Sequence, residues 1–117
     1  MIKIQTTFEI EPTRMYDLLV TGYESPYNSV ELVEGDWEEA WRSGDKGEKN
    51  AFAEVSFVDK YEAEEEVFMT DAVLKEGLTQ MAGTYPKHFE DFMNENEDAI
   101  TGDVFIQCIM FGEVIYG

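Results

Sequence analysis

Hydrophobic and polar positions follow a readable order along this 117-residue chain. From Ile2 to Ile10 they alternate, with Ile2, Ile4, Thr6, Phe8 and Ile10 on one face, which predicts a strand. Pro12 suits the first turn of a helix, and Met15, Leu18, Leu19 and Gly22 then recur at helical spacing, ending the helix at Gly22. The period lapses between Tyr23 and Asn50. There Ser29–Val33 alternates briefly as a short strand, and Gly35–Arg42 has room for one or two helical turns with Trp37 and Trp41 at i and i+4 on one side. Residues 43–50 read as a flexible polar loop.

Alternation resumes over Ala51–Val58 and Lys60–Met69, which predicts a hairpin turning at Asp59-Lys60. Its second strand carries Glu62, Glu64 and Glu66 on one face beside Glu54 of the first, a face that must meet water or a cationic partner. Thr70 or Asp71 then caps a helix over Ala72–Met81 that Gly83 stops. Pro86 opens another through Asn94, with Phe89, Phe92 and Met93 inward. Last comes the most apolar run of the chain. Thr101 is its expected N-cap, Asp103 its first-turn charge, Gly112 its stop, and Val104–Phe111 is apolar on nearly every side, so this helix must be buried. The tail Val114–Gly117 suits a final strand against residues 2–10 or an edge for a homodimer. The order of elements predicts one α+β domain over residues 1–117, with an antiparallel sheet of three to five strands and about four helices on one face of it.

Composition adds a charge argument. Twenty-six acidic residues face eight basic ones, a formal charge of −18, with a pI near 4.1. Direct binding to nucleic acid, or to an anionic membrane surface, needs a basic face that this chain lacks. No apolar run reaches the eighteen residues of a membrane span, and the N-terminus has no signal-peptide pattern, so an intracellular protein is expected. The single cysteine, Cys108, reads as a small core hydrophobe.

Chemistry finds little support. His88, the only histidine, falls on the exposed side of its helix, far in sequence from Cys108, so a Cys–His pair has little behind it. Counted from Asn94, an EF-hand loop is matched at Asn94, Asn96 and Asp98. Ala99 stands where glycine is required and Phe105 where glutamate is, so no calcium loop is expected. Neither a phosphate-binding glycine loop nor zinc-ligand spacing is present. The reading is therefore a protein without enzymatic activity, cofactor or metal. The aromatic residues of the irregular segment offer more. Tyr27, Trp37 and Trp41 sit among Asp36, Glu38 and Glu39, a composition that suits a partner surface or the wall of a pocket. The glutamates of the expected hairpin would stand about 6.6–6.8 Å apart along a strand. Duplex DNA carries about one phosphate per 1.7 Å of axis, so a carboxylate array of this kind is compatible with mimicry of nucleic acid in a basic channel.

Over roughly residues 70–117 the chain carries Gly77-Leu78, Met81-Ala82, Tyr85-Pro86, His88-Phe89 and Asp91-Phe92, then Asp98-Ala99, Thr101-Gly102-Asp103-Val104-Phe105, Gln107-Cys108, Phe111-Gly112-Glu113 and Tyr116-Gly117. In these residues it resembles a family of small, largely uncharacterised bacteriophage and prophage proteins. Members often carry a Gly-Gly-Ser-Asn-Tyr-Trp-like stretch after the first helix, where this chain reads Glu24-Ser25-Pro26-Tyr27-Asn28. The resemblance and the charge together imply an inhibitor of host defence, of the anti-restriction or anti-CRISPR kind, acting in the cytoplasm of an infected bacterium. Its partner would be a host protein with a basic surface. Glu54, Glu62, Glu64 and Glu66 would supply the charge, with Tyr27, Trp37, Trp41, Asp36, Glu38 and Glu39 as further contacts. The alternative is a small-ligand sponge that holds a nucleotide immune signal between Tyr27, Trp37 and Trp41, with Arg14, Arg42, Lys46 and Lys49 as its cations.

Overall fold

A computed structural model describes residues 9–62 and 65–117. The elements are α1 (Pro12–Tyr23), β1 (Val30–Glu34), α2 (Trp37–Asp45), β2 (Ser56–Asp59), β3 (Val67–Phe68), α3 (Asp71–Thr84), α4 (Pro86–Met93) and α5 (Ala99–Phe111). The strands form one antiparallel sheet in the order β1-β2-β3. The chain is an α+β protein with five helices and three strands among the described residues. The expected strand over Ile2–Ile10 falls almost wholly outside them, and its last two residues, Glu9 and Ile10, are irregular.

Helix α5 is the centre of the helical layer, packed against α1, α3 and α4. Every residue from Thr101 to Cys108 is buried. Phe105 and Ile106 of α5, Leu18 and Leu19 of α1, and Leu74 and Met81 of α3 belong to one core, which also includes Phe92 of α4, Phe57 of β2, Phe52 and Met69. Two glycines make the α1–α5 crossing possible. A methyl group at Gly102 would sit 2.5 Å from the nitrogen of Gly22 and 2.7 Å from its Cα, so the backbones themselves are in contact.

Several boundaries differ from the sequence reading. The N-cap of α5 is Asp98, whose carboxylate accepts from the Thr101 amide at 2.9 Å and from its hydroxyl at 3.1 Å. A carboxylate there meets the positive end of the helix dipole, and its carboxyl is held below the usual range mainly by the Thr101 N–H. Thr101 is thus inside the helix, and Asp103 lies beyond the first turn, buried. Gly112 closes α5 in the left-handed conformation, φ +76°, as expected. Gly22 and Gly83 stop nothing: α1 runs one residue past Gly22, and α3 one residue past Gly83. Met93 is exposed, because Phe92 takes the inward position of the short α4.

The largest correction concerns the hairpin. Residues 51–54 turn instead of extending, with Ala53 N–H donating to Asn50 and Val55 N–H to Phe52. Strand β3 has only two residues, paired Ser56 with Phe68 and Phe57 with Val67. Asp59 diverts the chain at the end of β2: its carboxylate accepts the Tyr61 amide at 3.0 Å and the Tyr116 hydroxyl at 2.7 Å. Glu54 is therefore in a turn, Glu62 in a bend, and Glu64 outside the described residues.

Candidate functional site: an acidic cleft beside helix α2

Asp36 caps α2, its carboxylate accepting from the Glu39 amide at 3.1 Å, and Glu38 and Glu39 occupy the first turn. Three acids at a helix N-terminus have an electrostatic reason to be there. What brings other acids to them is Gly35, at φ +96°. A methyl group on Gly35 would stand 2.6 Å from the Glu54 carbonyl oxygen and 2.8 Å from Val55 Cα. Only glycine lets the end of β1 pass so close to the turn before β2, and that passage sets Asp36 beside Glu54.

The opposite wall is the segment 48–51, held by a hydrogen-bond lock. Asn50 N–H donates to Asp71 Oδ2, and Asp71 N–H returns to Asn50 Oδ1, both at 3.0 Å. The Tyr16 hydroxyl donates to Asp71 Oδ1 at 2.6 Å and lies 3.2 Å from the Glu48 carbonyl. Burial, and then the Asp71 hydrogen bond, push the Tyr16 phenol up to about 12. The loop that reads as flexible in sequence is thus tied to α1 and to the first residue of α3.

Between these walls lies an open cleft of about 310 Å³. Asp36 and Glu39 line it from α2, Glu48, Lys49 and Asn50 from the loop that follows, and Glu54 from the turn before β2. Four carboxylates and one ammonium give it a strongly negative character, suited to a cationic group. In sequence Asp36 and Glu39 stand in the aromatic segment, Glu54 in the expected hairpin and Lys49 among the cations of the alternative ligand site, while Glu48 is in none of these groups. No local pattern brings Glu48 to the others, since the Asp71–Asn50–Tyr16 lock that positions it joins residues far apart in the chain.

The other candidate residues are dispersed. Trp37 is half-buried in an aromatic cluster, with ring centroids 4.4 Å from Tyr23, 5.2 Å from Phe52 and 5.9 Å from Phe57, and it pins α2 to the core. Trp41 is 51% exposed and Tyr27 57%. At about 100° per residue, Trp41 falls on the opposite flank of α2 from Asp36, Glu39 and Ser43, so it does not line the cleft. Glu38 is exposed and faces Arg42 at 3.5 Å. Glu66 accepts from the Ser56 hydroxyl at 2.6 Å. Glu34 shares the cross-strand row with Ser56, and hydrogen bonding to Glu66 raises its carboxyl above the usual range.

The cations named for a nucleotide are not gathered either. The Arg14 guanidinium bonds Glu97 and the Phe92 carbonyl and lies over the Phe92 ring. Burial pushes the Cys108 thiol up to about 11, away from the thiolate a nucleophile requires. His88 is half-buried rather than exposed, with Nδ1 3.3 Å from the Thr101 hydroxyl. Among the described residues, no three His, Cys, Asp or Glu side chains are placed to hold a metal ion, and no helix is long and apolar enough to cross a membrane.

No protein-family model matches the chain, and no curated protein or solved structure does.

Proposed function

We propose that this chain is a phage- or prophage-encoded acidic binding protein that inhibits a host defence or nucleic-acid-processing protein by engaging its basic surface. The observation that carries this reading is the cleft: Asp36, Glu39, Glu48 and Glu54 line a cavity whose walls are fixed by a helix cap, a glycine close approach and the Tyr16–Asp71–Asn50 lock. A preorganised acidic site holds lysine or arginine side chains of a partner with little ordering cost, and the surrounding charge of −18 steers a basic protein toward it. Trp41, exposed on the other flank of α2, supplies a separate aromatic contact outside the cleft. The phage assignment rests on the resemblance of residues 70–117, and the infected bacterial cytoplasm is its place of action on the same ground.

The test is expression in bacterial strains that each carry one restriction or CRISPR system, challenged with unprotected phage. Plating efficiency should rise by orders of magnitude against the targeted system. The double charge reversal Glu39→Lys with Glu54→Lys should remove that rise while the protein remains folded by circular dichroism. An unchanged plating efficiency across a broad set of systems would sink the proposal. So would full inhibition by the charge-reversed protein.

A further inference from the structure

Beyond Gly112 the chain reverses, and residues 114–116 find their backbone partners in side chains. Val114 N–H donates to the Tyr85 hydroxyl at 2.8 Å. Ile115 N–H and Tyr116 N–H both donate to Gln107 Oε1, and Gln107 Nε2 donates to the Tyr116 carbonyl, each at 2.9 Å. Gln107 Nε2 also donates to Asp103 Oδ2 at 2.9 Å. A glutamine amide has two donors and two acceptor lone pairs, so Gln107 is fully used, and three of its four bonds hold the tail. Beyond the backbone, the Tyr116 hydroxyl reaches Asp59 at the end of β2, and its ring meets Phe111 and Tyr61. The tail thus ties α5 to the corner between α3 and α4 and to the far end of the sheet.

We propose that residues 113–117 form a strap that docks and releases as one unit about Gly112, with the Gln107 amide as its catch. Three features carry this. The pivot is a glycine at φ +76° with open space around its Cα, so its backbone can rotate without side-chain collision. The strap has no ladder or helical hydrogen bonds among the described residues. Among the described residues, three of its five hydrogen bonds converge on the Gln107 amide, so breaking that contact removes those three together. Docked, the strap covers the buried Asp103–Gln107 pair; released, it uncovers that pair and frees Asp59 and Tyr61 at the end of β2.

Amide hydrogen exchange of the full chain, read residue by residue by NMR, tests this. Val114, Ile115 and Tyr116 should share one protection factor, below that of Phe105 and Ile106 in α5. The decisive variants alter one acceptor and read the other amides. Gln107→Ala should speed exchange of Val114 at least about tenfold although its own acceptor, Tyr85, is untouched. Tyr85→Phe should speed Ile115 and Tyr116 by the same factor as Val114, with Phe105 and Ile106 unchanged. If Gln107→Ala fails to fold, Tyr85→Phe decides alone. An effect confined to the amide whose acceptor was altered overturns the strap, as does protection of all three amides equal to the α5 interior.

Discussion

The α1–α5 crossing supplies a prediction in which one substitution takes opposite signs at two glycines. Replacing a mid-helix glycine by alanine removes backbone freedom from the unfolded chain and by itself stabilises by about 0.5–1 kcal/mol. Gly83 lies exposed in α3, and a methyl group there meets nothing within 4 Å. Gly83→Ala should therefore stabilise by about 0.5 kcal/mol, the lower figure because the site is near the helix end. At Gly102 the same methyl group would stand 2.5 Å from Gly22 N, 2.7 Å from Gly22 Cα and 3.0 Å from Thr21 C. All three are backbone atoms that cannot rotate away, so α1 and α5 must separate. Overpacking of this kind costs about 1–3 kcal/mol and occasionally more. The crossing lies in the main core, so the upper end applies, and a net loss of about 2 kcal/mol remains after the helix-propensity gain. Urea unfolding followed by circular dichroism measures both, and about 2 kcal/mol corresponds to roughly 6–12 °C in melting temperature for a chain of this size. Gly22→Ala should behave like Gly102→Ala, and the double variant should lose less than the sum, because the first methyl already opens the gap the second needs. Gly102→Ala as stable as the parent protein would refute the reasoning.

Three further outcomes follow from the same contacts. Asp103 is buried with one oxygen on Gln107 and the other without a partner, and burial raises its carboxyl. A raised folded pKa means stability present below the ordinary carboxylate range and lost as pH rises through the raised value. Asp103→Asn keeps an acceptor for Gln107, so it should raise the melting temperature at neutral pH and flatten its decline above the carboxylate range. Tyr16, at about 12 in the fold against an ordinary 10.0, contributes stability that is full below its unfolded pKa and is lost between about pH 10 and 12. In Tyr16→Phe, stability measured against pH should lose that fall, and the protein should be weaker by roughly 1–2 kcal/mol at neutral pH through the lost Asp71 bond. The two tryptophans should separate cleanly in chemical denaturation and binding. Trp37→Ala should cost about 2–4 kcal/mol from its ring contacts with Tyr23, Phe52 and Phe57, whereas Trp41→Ala should stay within about 0.5 kcal/mol and weaken only partner binding.

Much of the helical half was legible because its signals are local. Pro12 and Pro86 open α1 and α4, Thr70 caps α3, and the left-handed Gly112 ends α5. The antiparallel pairing of the two segments was legible and is present as β2 with β3, but its extent and its turn were not, because the deciding contacts of Asp59 come from Tyr61 and from Tyr116 at the other end of the chain. The motif residues of the C-terminal half have structural duties here: Gly102 makes a helix crossing, Tyr85 and Gln107 hold the tail, and Tyr116 meets Asp59. Each of these contacts is structural.

By itself, then, the sequence determined the α+β class, the buried last helix, the negative charge and the abundance of acids in the first turn of α2. These depend on composition and on neighbours within one or two turns, which a linear pattern records. Tertiary structure alone decided which acids meet. Asp36 and Glu54 are neighbours because Gly35 lets two backbones touch, and Glu48 faces them because Asp71 and Tyr16 hold its loop. It also set Trp37 into the core and left Trp41 outside, although the two stand one helical turn apart. Long-range contacts of this kind have no period, and the chain must close on itself before they exist.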